Sequence, residues 1–483
     1  MSGIINYTIA FKVLSRNLFI ITAAMLSCVA VAFIYSEPFM PFVWSSLIAF
    51  LLALTLVQFT RYNNKNAVLD KKAAYFSVTL SWAVIGVIGS LPYLFSNAIP
   101  SFNNALFESV SGFTTTGSSI LTDIESLPKS ILFWRSLTHW IGGIGIIVLF
   151  IIIMPTLKIG GYNLFTLESS LQEKIKPKIK SVAYRLLFIY LLLTFAEVVF
   201  LMLGKMNLYE SVCHAFGTVA TGGFSPKNTS IADYSPYIQY VIMVFMLLAG
   251  TNFVIHYYIL KRNFNKVKEN DELKFYLIIV MIIGLTITGI LYLKMGKSFE
   301  LSFRESFFQV ISIVTCTGFA TADYLQWPVI AWVIIFFAMF LGGSTGSTAG
   351  GIKMARHLIL FKNIKRNFRQ LMSPRGVFPI RLNGNSINDN TNNSILTFIT
   401  IYFLIFVIGS IIMVFLGVDA KTASSSVATC MAGIGPGIGT VGPASNFAHI
   451  PEAGKALLTF LMLIGRLEIY TILILFTPAF WKK

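Results

Sequence analysis

Four short, polar, glycine-bearing stretches recur between long apolar segments, and this recurrence constrains the fold more than any other feature of the chain. We name them loop 1 (residues 112–118), loop 2 (218–224), loop 3 (314–319) and loop 4 (429–436). Each follows a short helix-like run and lies between two apolar segments long enough to span a membrane. Non-helical backbone at membrane depth is tolerated only where it is packed in protein or lines water. The pattern predicts that the four loops meet on one axis and form an ion selectivity filter.

Composition agrees with a membrane location. Only 12% of the 483 residues are charged and 55% are hydrophobic, whereas about 25% of a soluble domain is charged. The net charge of +17 would suggest nucleic acid for a soluble protein, but the basic residues here lie in the connections between apolar runs, so we expect no nucleic-acid partner. The cysteines show no paired spacing, which favours neither a zinc site nor a disulfide framework; they are Cys28, Cys213, Cys316 and Cys430.

We predict an all-α polytopic membrane protein in which an N-terminal two-helix hairpin precedes four modules with pseudo-fourfold symmetry around one central ion pore. Each module has a first span, a short pore helix, a filter loop and a second span. The hairpin occupies 1–70 and the modules 71–160, 161–265, 266–380 and 381–483. Spans are expected at about 17–36, 39–60, 75–98, 130–155, 183–204, 237–260, 275–293, 328–370, 395–416 and 456–480, and short helices at 103–111, 208–217, 303–313 and 422–430. The key glycines Gly117, Gly222, Gly318 and Gly435 recur at intervals of about 100 residues, which marks a repeat architecture.

Loop charge predicts the orientation of the modules. Basic residues cluster before and after the hairpin, between modules and at the C-terminus; they include Lys12, Arg16, Arg61, Lys65, Lys71, Lys72, Lys158, Lys174, Lys176, Lys178, Lys180, Arg185, Lys261, Arg262, Lys266, Lys268, Lys274 and Lys482. The sides that carry the glycine loops are poorer in lysine and arginine and contain Asp123, Glu125, Asp233, Asp323 and Glu452. All four loops are therefore expected to enter from the extracellular side, with both termini cytoplasmic.

The chemistry of the loops suits a dehydrated cation. Backbone carbonyls and the hydroxyls of threonine and serine can replace its hydration shell, and glycine permits dihedrals that turn successive carbonyls inward. Each preceding short helix would point its partly negative C-terminal end toward the axis. Glu108 and Gln309 occupy the same position in the first and third short helices, and we interpret them as polar supports behind the filter.

Two features suggest a gate. The second span of module three contains Gly342, Gly343, Gly346, Gly350 and Gly351, and a continuous helix there would lose about 1 kcal/mol per glycine relative to alanine. An unwound segment within the membrane is one interpretation; a glycine-rich helix-packing face is the alternative. Arg466 lies mid-span in module four, where a charge usually faces a cavity or a partner. Glu468, two positions further on, lies on another helix face.

The loop motifs resemble those of the Trk/Ktr/HKT superfamily of potassium transporters. Residues 107–117 (FESVSGFTTTG) are similar to the first pore segment of that family and 214–225 (HAFGTVATGGFS) to the second, and the resemblance extends over nearly the whole chain. The N-terminal hairpin is more similar to the membrane subunit of the bacterial Trk system than to the shorter Ktr subunit. The resemblance implies a potassium-binding filter that also passes rubidium and disfavours sodium. Its residues are Thr114, Thr115, Thr116, Gly117, Val219, Ala220, Thr221, Gly222, Thr315, Cys316, Thr317, Gly318, Gly433, Ile434 and Gly435.

Loop 4 departs most from the family pattern, because it lacks the threonines of the other loops. Its register stays open between Gly433, Gly435, Gly437 and Gly439.

The resemblance also implies a gate, partners and a location. The glycine-rich segment would obstruct the pore below the filter and Arg466 would oppose cation passage there; the implied gate residues are Gly342, Gly343, Ser344, Thr345, Gly346, Ser347, Thr348, Ala349, Gly350, Gly351, Lys353 and Arg466. The family lies in the bacterial inner membrane as a homodimer with a ring of cytosolic nucleotide-binding regulatory subunits. The chain has no glycine-rich dinucleotide fingerprint, so we expect no cofactor within it and nucleotide regulation only through that partner.

Other functions remain as alternatives. A proton- or sodium-coupled symporter would need intramembrane carboxylates, of which Glu197 and Glu468 are the candidates. An intramembrane enzyme would need a nucleophile and base or a pair of carboxylates, and no convincing constellation is present.

His214 is interpreted as a packing and hydrogen-bonding residue rather than a metal ligand. His139, Trp140, Asn252 and His256 either line the vestibule or contact neighbouring helices. The basic run 353–381 could bind anionic lipid headgroups or a cytoplasmic protein.

Overall fold

A computed structural model describes residues 7–62, 71–148 and 179–482. The described chain is mostly helical, which confirms the all-α prediction. Six of the described helices are long and apolar enough to cross a membrane, or up to eight if each of two bent helix pairs counts as one span. Part of the predicted span 130–155 lies outside the described residues, as do Lys65, Lys158, Lys174, Lys176 and Lys178 of the charge pattern.

The N-terminal hairpin consists of α1 (Tyr7–Ile34) and α2 (Met40–Tyr62), which pack against each other. Helix α1 begins ten residues before the predicted span because its buried face continues through Ala10 and Leu14 while the charged Lys12 stays exposed. The turn of the hairpin is joined to the first module, since the carboxylate of Glu37 accepts the backbone N–H groups of Lys129 and Ser130 at 2.7 and 2.8 Å.

Four modules follow, each with a long first helix, a short helix and a second helical part. Module one contains α3 (Lys71–Phe95), α4 (Phe102–Phe113) and α5 (Lys129–Val148). Module two contains α6 (Ile179–Leu203), α7 (Leu208–Val219), α8 (Pro236–Ala249), α9 (Phe253–Leu260) and α10 (Phe264–Lys268). Module three contains α11 (Asp271–Met295), α12 (Phe299–Val314), α13 (Val329–Ala338) and α14 (Met354–Met372). Module four contains α15 (Asp389–Phe415), α16 (Ala420–Ala432), α17 (Glu452–Arg466), α18 (Ile469–Leu473) and α19 (Pro478–Trp481).

The short helices begin at side-chain caps in three of the four modules. Asn207, Ser298 and Asp419 each accept a backbone N–H from the first turn of α7, α12 and α16. Such a cap satisfies an N–H group that has no partner within the helix. In these three modules the cap defines where the short helix starts, and in all four the glycine loop follows its end.

The second helical parts of three modules are interrupted. Residues 339–353 of module three form no helix, as the glycine content favours, and Leu341 pairs with Ile352 in a single parallel bridge. The spans predicted at 237–260 and 456–480 are each bent at a break, since α8 and α9 meet at 102° and the helical pieces after α17 meet it at 114°. A neighbouring segment satisfies the backbone freed at the first break: the carbonyl of Gly250 accepts the N–H of Ser344 at 2.8 Å.

The connection between modules three and four carries the only described strands, β1 (Arg381–Leu382) and β2 (Asn385–Ser386), which form an antiparallel hairpin. The buried apolar side chains form two clusters. The first contains residues of the hairpin helices and of all four modules, and the second contains residues of modules two, three and four. Buried residues of loops 1 and 2 belong to the first cluster, those of loop 3 to the second, and those of loop 4 to both.

Candidate functional site

All four short helices end in the same turn. A backbone N–H in each loop donates to a carbonyl five residues earlier: Thr116 to Ser111, Gly222 to Gly217, Thr317 to Ser312 and Ile434 to Thr429, at 2.9, 2.7, 2.8 and 3.0 Å. The residue before each donor and the residue after it have positive φ. The shared turn places equivalent positions of the loops in one register, although their sequences differ.

This register corrects the position of the key glycine in loop 2. The second positive-φ residues of the turns are Gly117, Gly223, Gly318 and Gly435. Gly223, not Gly222, is thus the counterpart of Gly117, because only glycine adopts this left-handed conformation without strain. Gly222 is the counterpart of Thr116, Thr317 and Ile434. In loop 4 the same criterion selects Gly435 among the open alternatives.

The four loops close a ring. A Cβ added to Gly117 would overlap the carbonyl oxygen of Gly222, one on Gly223 would overlap that of Thr317, and one on Gly318 would overlap that of Ile434. A Cβ on Gly435 would lie 2.9 Å from the carbonyl oxygen of Thr116, which completes the circuit from loop 4 to loop 1. In each contact, the second positive-φ glycine of one loop meets the carbonyl oxygen of the residue just before that glycine's counterpart in the next loop. Glycine is therefore required at this place by the close approach of the next loop as well as by its own dihedral angle.

A cavity of about 190 Å³ opens on one side of this ring and is lined by residues of all four loops. Gly117, Gly223, Gly318 and Gly435 all contribute to its wall. The structure thus brings together the residues predicted from the four loops, including the threonines of loops 1 and 3, whose hydroxyls bond in pairs at 2.8 Å (Thr114 with Thr116, Thr315 with Thr317).

A buried ion pair supports loops 1 and 2 from behind. Glu108 is fully buried and accepts Nε of Arg135 at 2.9 Å, the hydroxyl of Ser119 at 2.9 Å and the backbone N–H of Ile120 at 3.0 Å. The guanidinium of Arg135 lies 4.0 Å from the ring centre of Phe224 in loop 2. Arg135 was not predicted from the sequence, although a buried carboxylate calls for a cationic partner and this arginine lies in the following helix.

The other proposed support, Gln309, donates to the carbonyl of Ala322 at 3.2 Å. His214 bonds through Nε2 to the hydroxyl of Ser225 at 3.0 Å, and His139 bonds through Nδ1 to the carbonyl of Gly112 at 2.7 Å and stacks on Phe224. Both histidines therefore pack behind the loops. Among the described residues no three histidine, cysteine or acidic side chains come together in a way that could hold a metal ion.

The remaining candidates on the second helices make local contacts. The indole N–H of Trp140 donates to the hydroxyl of Thr194, Asn252 caps α9, and His256 bonds through Nε2 to the carbonyl of Leu248. Glu197 is fully buried, and within the described parts of the chain neither of its carboxylate oxygens has a hydrogen-bond partner.

The segment 342–351 packs against three of the loops. The hydroxyl of Thr348 donates to the carbonyl of Val219 at 3.0 Å in loop 2. A Cβ on Gly351 would lie 3.4 Å from Sγ of Cys316 in loop 3, and one on Gly350 would overlap the carbonyl of Ala432 in loop 4. The segment therefore lies directly beneath the ends of these short helices, where the backbone approaches too closely for larger residues.

Arg466 connects the segment to module one. Its Nη1 donates to the carbonyl of Thr348 at 2.8 Å and its Nη2 to the carbonyl of Gly142 at 3.0 Å, and only 6% of the residue is exposed. Gly142 in turn packs against the carbonyl of Phe113 in loop 1. The positive charge thus lies beside the segment and is neutralised by no carboxylate among the described residues.

Two other charged residues surround the same small cavity as Arg466, namely Lys353 and Glu468. Lys353 donates through Nζ to the carbonyl of Ala349. Glu468 pairs with Arg356 at 2.5 Å, which agrees with the expectation that it is not a local partner of Arg466.

An all-α membrane protein whose four glycine loops close into a ring has an arrangement that suits the transport of ions. A family model described as "TrkH: Cation transport protein" matches residues 43–483, and the chain belongs to this family. That membership confirms that it is a transport protein and not an enzyme.

The relatives agree with this assignment. The Trk system potassium uptake protein TrkH of Escherichia coli K12 is 36% identical over 422 residues, which cover 86% of this chain and 87% of the relative. TrkH of Vibrio parahaemolyticus is 34% identical over 98% of this chain and 99% of its own. The crystal structure of the potassium transporter TrkH from Vibrio parahaemolyticus superposes with a TM-score of 0.90 at 31% identity, covering 99% of this chain and 100% of that one.

Proposed function

We propose that this protein takes up potassium across the bacterial inner membrane through a gated, channel-like pore. The observation that carries the proposal is the ring of four loops, in which one glycine position of each loop contacts one carbonyl position of the next. Such a ring can surround a dehydrated cation with backbone oxygens. The names of the relatives in Escherichia coli and Vibrio parahaemolyticus, both potassium uptake proteins, support potassium as the ion.

The four loops act as the selectivity filter. Threonines flank the glycines of loops 1 and 3, whereas loop 4 has Ile434 before its glycine. The rings of oxygen are therefore unequal around the axis. We expect potassium and rubidium to pass, sodium to be disfavoured, and selectivity to be looser than in a channel built from four identical loops.

The gate lies beneath the filter. The segment 342–351 contacts loops 2, 3 and 4, and Arg466 holds it to module one. A fixed positive charge beside the path raises the energy of a passing cation. Opening requires that the segment moves away and that Arg466 releases the carbonyl of Thr348.

Regulation comes from outside this chain. We propose a homodimer, with both termini of each chain cytoplasmic and a cytosolic nucleotide-binding subunit docked on that side. The basic connections between modules support this orientation by the positive-inside rule. The C-terminal half of the basic helix α14 supplies a candidate contact for that subunit or for lipid headgroups, because Lys365, Arg366 and Arg369 have no acidic partner within the described chain.

The first experiment is rescue of a potassium-uptake-deficient bacterium at low external potassium, with the regulatory subunit of the same organism supplied. Rubidium flux into liposomes that contain the purified protein then measures transport directly. Rescue together with rubidium flux that exceeds sodium flux supports the proposal. Failure of both assays with the partner present overturns it.

One observation favours a second function, a proton-coupled symporter. Glu197 is a buried carboxylate without a hydrogen-bonding partner in the described structure, and the neighbouring hydroxyl of Thr218 donates to the carbonyl of His214 instead. Intramembrane carboxylates of this kind serve as proton sites in transporters. Rubidium uptake driven by an imposed proton gradient, with no rubidium gradient, would distinguish the symporter from the channel-like pathway.

A further inference from the structure

A single carboxylate holds both ends of the segment 342–351. Glu272 lies in the first turn of α11 and is 1% exposed. Its Oε1 accepts the backbone N–H of Thr345 at 2.8 Å, the hydroxyl of the same threonine at 3.2 Å, and the backbone N–H of Ala355 at 2.9 Å. Thr345 lies near the start of the segment and Ala355 just beyond its end.

The local backbone offers the N–H group of Ala355 no hydrogen-bond acceptor. Ala355 is in the first turn of α14, where N–H groups lack partners within the helix. The N-cap position of α14 is Lys353, which provides no side-chain cap. Glu272 supplies that cap from another helix, and its negative charge also suits the positive end of the α14 dipole. Bonds from N–H groups to a buried carboxylate are about twice as strong as neutral ones.

The neighbouring residue extends the connection to the exposed side of the protein. Asp271 accepts Nζ of Lys362 at 2.9 Å and the backbone N–H of Asn383 at 3.1 Å, and Lys362 also donates to the carbonyl of Arg381. The first turn of α11 therefore binds three parts of the same connection: the segment, helix α14 and the β1–β2 hairpin. The segment and helix α14 are thus joined through this turn.

We propose that Glu272 is a positioning residue that latches the segment 342–351 beneath the filter and couples its release to movement of α14. This inference rests on the proposed gating function of the segment. The latch is broken when α14 is displaced, since Oε1 cannot keep both the Thr345 and the Ala355 donors once they separate. The segment then becomes free to leave the pathway.

Three substitutions test the latch in the full-length protein in liposomes. Glu272→Ala removes the acceptor, Glu272→Gln keeps its shape without the charge, and Glu272→Asp keeps the charge but withdraws it by one methylene. Glu269→Gln is the matched control, because Glu269 lies three residues away and is exposed on the surface with a weak partner, Lys266. We expect rubidium flux per folded protein to rise about tenfold in Glu272→Ala and by less in Glu272→Gln, as the lost charge-assisted hydrogen bonds shift the segment toward its released state.

Two further readouts separate a latch from a merely structural role. The ratio of rubidium to sodium flux should stay at the wild-type value, because the loops are not touched. Amide hydrogen exchange at Thr345 and Ala355 should accelerate in Glu272→Gln while that of the loop amides Thr116 and Thr317 does not. Lower thermal stability with wild-type flux per folded protein, or wild-type exchange at Thr345 and Ala355, would overturn the latch.

The test also separates failure of the latch from failure of the pore. If Glu272→Ala does not fold, the flux and exchange of Glu272→Gln decide the question. If Arg466→Ala conducts rubidium and the folded Glu272 variants do not exceed the wild type, the latch falls and the pore stands. If no variant conducts any cation, the proposed function falls, whatever the exchange data show.

Discussion

Neutralising Arg466 should open the pathway to cations. The guanidinium donates to the carbonyl of Thr348, which belongs to the segment beneath the loops, so a cation that follows the proposed path past the segment would pass close to this charge. Two unit charges about 6 Å apart repel by about 3 kcal/mol at an effective dielectric constant of about 20. That repulsion alone corresponds to a factor of roughly one hundred in rate. Because the segment remains as a second obstruction, we expect Arg466→Ala to raise rubidium flux by about tenfold or more.

The assay is tracer rubidium uptake into liposomes at equal amounts of folded protein, judged by size-exclusion chromatography and thermal unfolding. Arg466→Lys is the matched control. It retains the charge but cannot bridge the carbonyls of Thr348 and Gly142 with a planar fork, as the arginine does. Flux in Arg466→Lys should therefore rise far less than in Arg466→Ala. Equal flux in wild type, Arg466→Ala and Arg466→Lys would refute the electrostatic argument, and equal increases in both variants would assign the effect to lost hydrogen bonds alone.

Three further predictions concern the loops, their support and the buried carboxylate. Gly318→Ala should abolish discrimination between rubidium and sodium or stop flux, because its Cβ would overlap the carbonyl of Ile434. The control is Gly289→Ala, whose Cβ would meet nothing within 4 Å. It should leave flux unchanged and add up to about 1 kcal/mol of helix stability. Normal selectivity in Gly318→Ala would contradict the ring. Glu108→Gln should destabilise the protein by about 3–5 kcal/mol in thermal unfolding, since it leaves the charge of Arg135 buried and unpaired. Adding Arg135→Met should recover part of that loss, and strictly additive losses would argue against the pair. Glu197→Gln should transport rubidium at the wild-type rate at every pH, whereas loss of proton-driven uptake would establish the symporter instead.

Much of the architecture follows from local features of the sequence. The length of each apolar run and the low charge determine an all-α membrane protein, because a helix is the conformation that satisfies every backbone group of a single segment within lipid. The recurring glycine loops predict the modules, and the glycines of 342–351 predict an interruption in the second span of module three. Arg466 is conspicuous for the same reason, since an isolated charge in an apolar run needs a specific environment.

The sequence does not reveal the register of loop 2. Gly222 and Gly223 are adjacent and chemically identical, so only the positive φ of Gly223 and its contact with Thr317 distinguish them. The breaks after Gly250 and Arg466 are hidden as well, because a few polar residues within an apolar run do not by themselves end a helix. A backbone carbonyl can leave its helix there only because a distant segment donates to it, as Ser344 does to Gly250.

The partners of the buried charges were decided by the tertiary structure for a similar reason. Glu272 bonds across 73 and 83 residues to Thr345 and Ala355, and Glu468 pairs with Arg356 across 112. The sequence by itself determined that this chain lies in a membrane and that it repeats a loop-bearing module. It also determined where the backbone is least able to remain helical. These properties depend on hydrophobicity, length and glycine content within one segment. Only the fold decided which loop position meets which carbonyl and which carboxylate holds the segment, because those pairings depend on the distances between segments that the chain brings together.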